Sequence, residues 1–158
     1  MTNDPFLANT QGTKNFMPNS PQPLSASTAV NSISKPIDLQ DPSLRLALTI
    51  ARAADERKGG DITILHTGDV SPLADYFVIV TGFSKVQVRA IARIVEEKVA
   101  EAFQRKPVRI EGQTEGTWIL EDYADVIVHI MLPQERDFYN LEAFWGHAER
   151  VSLEAIAS

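Results

Sequence analysis

Gly82-Phe83-Ser84 is the first place where this chain could do chemistry. A Gly-x-Ser turn ahead of a long apolar-periodic stretch sets a hydroxyl at a helix start, where free backbone N–H groups suit a phosphate. Phosphoryl or nucleotidyl transfer also needs paired carboxylates to hold the divalent metals that neutralise developing charge. The next short strand reads Pro107-Val108-Arg109-Ile110-Glu111 and carries no Asp-x-Asp, while Asp122 and Asp125 straddle a turn. Ser84 with Gln87 is then read as a capping box. There is no cysteine, no Gly-x-Ser-x-Gly elbow and no His-Glu-x-x-His, and His66, His129 and His147 stand in separate segments without ligand-like spacing. The expectation is a protein with no catalytic residues, no metal and no cofactor.

What remains suits binding. Trp118 and Leu120, two apart on a strand, point to one face, and a few large rigid apolar groups dominate association energy when they sit at an interface centre. The same pattern also describes plain sheet core, and for Tyr76, Phe77 and Val78 the core reading holds. Glu115, Glu121, Asp122 and Asp125 cluster around a hairpin, either offering carboxylates to a basic partner or serving turn chemistry. His129, mid-strand among Val126, Val128 and Ile130, reads as a satisfied, partly buried side chain with an interface hydrogen bond as the alternative. Glu135, Arg136, Asp137, Tyr139 and Asn140 follow Pro133 in the first turns of a helix, as an exposed start or a polar rim. Trp145 reads as a staple for the C-terminal segment.

Charge narrows the partner. The chain carries −6 over 158 residues, and residues 37–158 hold 13 basic against 20 acidic side chains. Such a surface repels phosphate backbones, so little direct nucleic-acid binding is expected. No apolar run reaches the roughly 18 residues that span a bilayer, and the N-terminus lacks the apolar segment of a secretory signal. A soluble, intracellular protein without membrane partners is expected. Residues 1–36, rich in Asn, Ser, Thr, Gln and Pro, read as a disordered N-terminal extension, or alternatively as an organelle transit peptide, although they contain no Arg.

These residues need elements to position them. Asp41-Pro42 opens a helix whose stripe is Leu44, Ala47, Leu48 and Ala51, running to about Arg57 and stopped by Gly59-Gly60. Residues 61–66 form a strand, and Tyr76–Thr81 a continuous apolar strand buried on both faces. A long helix follows Ser84, burying Val88, Ile91, Val95 and Ala102. A short strand spans 107–111, and residues 118–121 and 125–132 form a hairpin around Tyr123-Ala124. A short helical segment follows Pro133. The order α-β-β-α-β-β-β-α predicts the α/β class, a mixed β-sheet flanked by helices.

Four blocks now stand in order: Asp75-Tyr76-Phe77-Val78-Ile79-Val80-Thr81-Gly82; Glu115-Gly116-Thr117-Trp118-Ile119-Leu120-Glu121-Asp122-Tyr123; Asp125-Val126-Ile127-Val128-His129-Ile130; and Glu135-Arg136-Asp137-Phe138-Tyr139-Asn140-Leu141-Glu142, ending at Trp145-Gly146. Together they resemble the signature of the ribosomal silencing factor (RsfS, Iojap) family, over roughly residues 41–151 within the domain 37–158. The resemblance implies a nucleotidyltransferase-like fold lacking catalytic residues. It implies docking on ribosomal large-subunit protein uL-fourteen of the large ribosomal subunit, which would block association with the small subunit and repress translation. The partner-binding set implied is Trp118, Leu120, Asp122, Tyr123, Asp125, His129, Glu135, Arg136 and Tyr139. A large-subunit assembly or maturation factor would use the same surface, and a nucleotidyltransferase enzyme is the distant rival. An apolar docking patch could also pair the free protein as a homodimer. The expected location is cytoplasmic, or the chloroplast if residues 1–36 act as a transit peptide. Two features depart from the family: the N-terminal extension, and Ala124 where a glycine is common, which touches only the turn.

Overall fold

The computed structural model describes residues 37–152, so the expected extension at 1–36 lies outside the described residues. Helix α1 (Pro42–Glu56) starts as its sequence dictates: the Asp41 side chain accepts from the Ser43 N–H, and proline occupies the first turn. Its predicted stripe is buried, joined by Leu46, Ile50, Ala53 and Ala54. The helix stop differs from expectation. The left-handed residue is Lys58 (φ 63), not a glycine. Gly59 is needed instead for close packing, since a Cβ there would lie 2.6 Å from Val80.

Strand β1 (Gly60–His66) leads through a turn into β2 (Tyr76–Thr81), which is buried at every position, as its unbroken apolar run predicts. Helix α2 (Lys85–Phe103) is capped by Ser84, whose Oγ accepts from the Gln87 N–H at 3.0 Å. The reciprocal bond of a capping box shifts by one residue, because Gln87 Oε1 accepts from the Phe83 N–H. Val88, Ile91 and Val95 are buried as expected, whereas Ala102 is exposed near the helix end. Strands β3 (Arg109–Glu111), β4 (Trp118–Asp122) and β5 (Val126–Met131) follow. In the β4–β5 turn Ala124 sits at φ 78, a left-handed conformation that explains why glycine suits this position. The expected final helix is broken at Asn140 (φ 46) into α3 (Pro133–Tyr139) and α4 (Leu141–Phe144). A short β6 (Glu149–Val151), absent from the sequence reading, pairs with β1.

The six strands form one mixed sheet in the order β3-β4-β5-β2-β1-β6. β2 and β5 are parallel, and the other neighbouring pairs are antiparallel. Side chains alternate across a sheet, so each strand feeds two environments. One face packs Ile64, Tyr76, Val78, Val80, Ile119, Val126, Val128 and Ile130 against α1 and α2. The other carries a smaller cluster of Leu65, Phe77, Ile79 and Met131, partly covered by Leu141 and Trp145. The sequence-predicted α/β class, a mixed sheet with helices, is borne out.

Candidate functional site: an aromatic face with an acidic rim

Register decides what the second face presents. Leu120 pairs with His129, which pairs with Ile79; Asp122 pairs with Ile127, which pairs with Phe77; Trp118 pairs with Met131. These residues share the face away from α1 and α2. Trp118 and Leu120 remain partly exposed there, as their spacing predicts.

Around them runs a chain of rings: Phe138–Tyr139 (4.9 Å), Tyr139–Trp118 (4.8 Å), Trp118–His129 (5.8 Å), His129–Phe77 (5.1 Å), Phe77–Trp145 (5.5 Å) and Trp145–Phe144 (5.0 Å). Its middle is buried and its two ends are open: Phe138 is 79% exposed and Phe144 75%. Trp145 packs edge-on against Phe77, which fits the stapling role expected of it. Phe138 and Phe144 were not singled out from sequence. Their signal was an aromatic residue on a short helix beside a second ring, a pattern that does not say which ring faces solvent.

His129 is nearly buried, and its Nδ1 accepts the Trp118 indole N–H at 3.1 Å. That bond assigns the proton of the neutral ring to Nε2, which is buried without a partner. Burial pushes the imidazole down to about 4, so it is neutral near physiological pH. The expectation of a fully satisfied histidine is thus half met. Because Nδ1 is held by the indole, His129 acts on the face through the orientation of Trp118.

A cleft of about 430 Å³ lies beside Trp118, Leu120 and Tyr139, edged by Glu111, Glu115 and Glu135. Three carboxylates around an aromatic centre suit cationic side chains at the rim and apolar ones in the middle. Of the four hairpin acids named from sequence, Glu115 alone edges this cleft. Asp122 bonds Arg109 at 3.2 Å and holds the hairpin by accepting the Ala124 N–H. Asp125 takes Arg105 at 2.7 Å and Ser43 at 2.8 Å. Burial raises its carboxyl, but those two donors outweigh burial and hold it below its ordinary range. Glu121 lies on the opposite face, 0% exposed. Burial, then the charge of Glu96, push its carboxyl up to about 9, and Tyr123 donates to it at 3.3 Å.

Besides His129, two more members of the expected partner-binding set are buried. Tyr123 is 0% exposed and belongs to the helix-side core, because strand parity turns it inward with Ile119 and Glu121. Arg136 is 7% exposed; it donates to Thr81 Oγ1 and Thr63 Oγ1 and bonds Glu142, pinning α3 to the sheet end. Burial raises Glu142's carboxyl, but the bonds and charge of Arg136 hold it low. The face brings Trp118, Leu120, Tyr139 and Glu135 together with His129 beneath them, leaves Asp122 at one side and places Asp125 elsewhere. Ser84 acts as a helix cap, and a Cβ at Gly82 would lie 2.7 Å from Val88, so that turn is accounted for by packing. Among the described residues no group of three or more His, Asp or Glu is placed to hold a metal ion.

Fold and face together define an α/β protein with one sheet surface sealed by helices and one left partly open around edge-on and tilted rings. The sequence profile described as "Ribosomal silencing factor during starvation" matches residues 40–158, and the chain belongs to this RsfS family. It is 40% identical over 106 residues to the ribosomal silencing factor RsfS of Halalkalibacterium halodurans, covering 67% of this chain and 90% of that one. A crystal structure of a Chromobacterium violaceum protein superposes with a TM-score of 0.61 at 38% identity, covering 73% of this chain and 92% of that chain. A more distant relative, 30% identical over 87 residues and covering 54% of this chain and 38% of that one, is the mouse "Mitochondrial assembly of ribosomal large subunit protein 1".

Proposed function

We propose that this chain docks on the large ribosomal subunit at protein uL-fourteen, bars the small subunit by occupying that surface, and so represses translation without bond-making chemistry. The observation that carries the reading is the aromatic face: Trp118 and Leu120 partly exposed beside the exposed Tyr139, edged by Glu111, Glu115 and Glu135. A ribosomal protein that lies among RNA phosphates carries basic side chains, which such a rim complements. The cytoplasm is the proposed location, with the chloroplast as the alternative if residues 1–36 act as a transit peptide; among the described residues no helix is long and apolar enough to cross a membrane. When the partner is absent, the same apolar face would pair two copies of the protein.

The test is subunit joining. Adding the protein to purified subunits should reduce the fraction sedimenting as joined ribosomes, and Trp118→Ala should abolish the effect while the chain still unfolds cooperatively, at a somewhat lower temperature because the His129 Nδ1 loses its donor. Losing a central aromatic anchor costs about 2 kcal/mol, roughly thirtyfold in Kd. Undiminished activity of that variant removes the aromatic face from the mechanism. A second reading, large-subunit assembly, is favoured by the relation to the mouse mitochondrial assembly protein. It predicts that mature subunits join normally in the presence of the protein while immature particles retain it.

A further inference from the structure

The cleft beside Trp118 holds a charge that the protein itself leaves uncompensated. Glu135 lines the cleft from the first turn of α3, and its Oε1 is buried without a hydrogen-bond donor. A carboxylate oxygen shut away from water with no donor is costly, so the group gains from any cation that reaches its open side. The other acids on the surrounding elements are Glu111, Glu115, Asp122 and Asp137, since Glu121 is sealed on the helix face. The cations there are Arg109, Arg136 and, reaching from α2, Arg89, and each is engaged elsewhere. Arg109 holds Glu111 at 3.0 Å and Asp122 at 3.2 Å. Arg136 bonds Thr63, Thr81 and Glu142, and Arg89 donates to the Gln113 and Thr114 carbonyls. Among the described residues, no cation pairs with Glu115 or Glu135.

The walls of the cleft narrow the kind of cation that fits. The Trp118 indole N–H is spent on His129 Nδ1, so Trp118 offers the cleft its ring and no donor. Tyr139, 50% exposed, sets a second ring 4.8 Å away and tilted by 49°. The negative faces of such rings attract a cation laid over them. An arginine guanidinium is flat and weakly hydrated, so it can rest on a ring and still donate sideways to a carboxylate. A lysine ammonium is a compact, strongly hydrated point charge and matches this shape poorly. Leu120 lines the same cleft and continues it into the proposed docking face, which favours a cation carried by the docked protein over a free one.

We infer that this cleft is a socket for one arginine side chain of the docked ribosomal protein, its guanidinium over the Trp118 and Tyr139 rings and bonded to Glu135. The inference rests on the docking reading above and names what the partner must place there. Glu115, exposed at the mouth, steers the cation inward. His129 holds the Trp118 ring in position from beneath.

Double-mutant cycles with isolated uL-fourteen at fixed ionic strength test it. Glu135→Gln keeps the shape of the side chain and should weaken binding about tenfold, with cooperative unfolding retained. Each arginine of uL-fourteen is then changed to lysine in turn. One of these changes should weaken binding to the unaltered chain about tenfold and add little to the loss already caused by Glu135→Gln. Glu115→Gln removes an equal charge at the mouth, and should cost about twofold without coupling to that arginine. Tyr139→Phe should bind as the parent does and Tyr139→Leu about threefold more weakly, because the ring face makes the contact. Lysine replacing every arginine without loss, or coupling of equal size at Glu115 and Glu135, overturns the socket while leaving docking in place. Failure of the unaltered chain to bind uL-fourteen removes both.

Discussion

Along β4, neighbours in sequence lie on opposite sides of the sheet, and the two sides differ in chemistry. Ile119 and Glu121 are sealed on the helix side, 1% and 0% exposed, whereas Trp118, Leu120 and Asp122 stay partly open. The helix side is mostly aliphatic, filled by Val, Ile, Leu and Ala from two helices and the central strands. Branched aliphatic side chains interdigitate at interior density and leave no reason for a partner. The other side is built of rings, which bring large area with few rotatable bonds and keep a polar edge. The comparison teaches that one strand sends alternate residues to a sealed core and to the proposed docking face, so changes one position apart should have unlike consequences.

The largest effect is expected at Ile119. Ile119→Ala removes a buried side chain beneath α2 and should cost about 2–5 kcal/mol in urea unfolding. Next door, Leu120→Ala should leave unfolding within about 1 kcal/mol of the parent, yet weaken subunit binding several-fold or more by calorimetry or sedimentation. Equal losses of stability at the two positions would break the division between faces.

Glu121 gives a third, pH-dependent contrast. Its carboxyl stands at about 9 in the fold, against about 4.3 in an unfolded chain. The folded chain keeps a proton that the unfolded chain releases, so this residue costs nothing below about pH 4 and costs more as pH rises towards 9. Glu121→Gln should therefore raise stability at pH 8 by about 1–3 kcal/mol, with little change at pH 4. Parallel pH profiles for the two proteins would mean that the buried carboxyl is not protonated. The smallest effect belongs to the rim. Glu115→Lys should slow association several-fold at low salt and barely at high salt, with dissociation unchanged in stopped-flow traces.

Much of this architecture was legible from residue patterns. Asp41-Pro42 started a helix because a capping carboxylate and a fixed φ leave few alternatives. Tyr76–Thr81 was read as doubly buried because six successive β-favouring residues have no polar face to offer water. β6 was missed because three residues, Glu149–Val151, carry too little periodicity and exist as a strand only by pairing with β1. The break at Asn140 was missed because a single left-handed residue leaves no mark on the apolar pattern.

The candidate site was legible in type and only partly in place. Trp118 and Leu120 announced a shared face by their spacing. Alternation also says that Glu121 and Asp122 must part, but not which of them faces the helices. That choice follows from the side on which α1 and α2 pack, a property of the whole chain path. The same holds for Arg136: seven residues of sequence around it read as an exposed helix start, and only the closeness of Thr63, Thr81 and Glu142 makes it a buried pin. Local sequence determined the elements, their alternation and the residue types on offer, because capping, periodicity and turn chemistry act within a few residues. The tertiary structure decided which carboxylates are buried, paired or open, because burial and pairing depend on groups far apart in the chain.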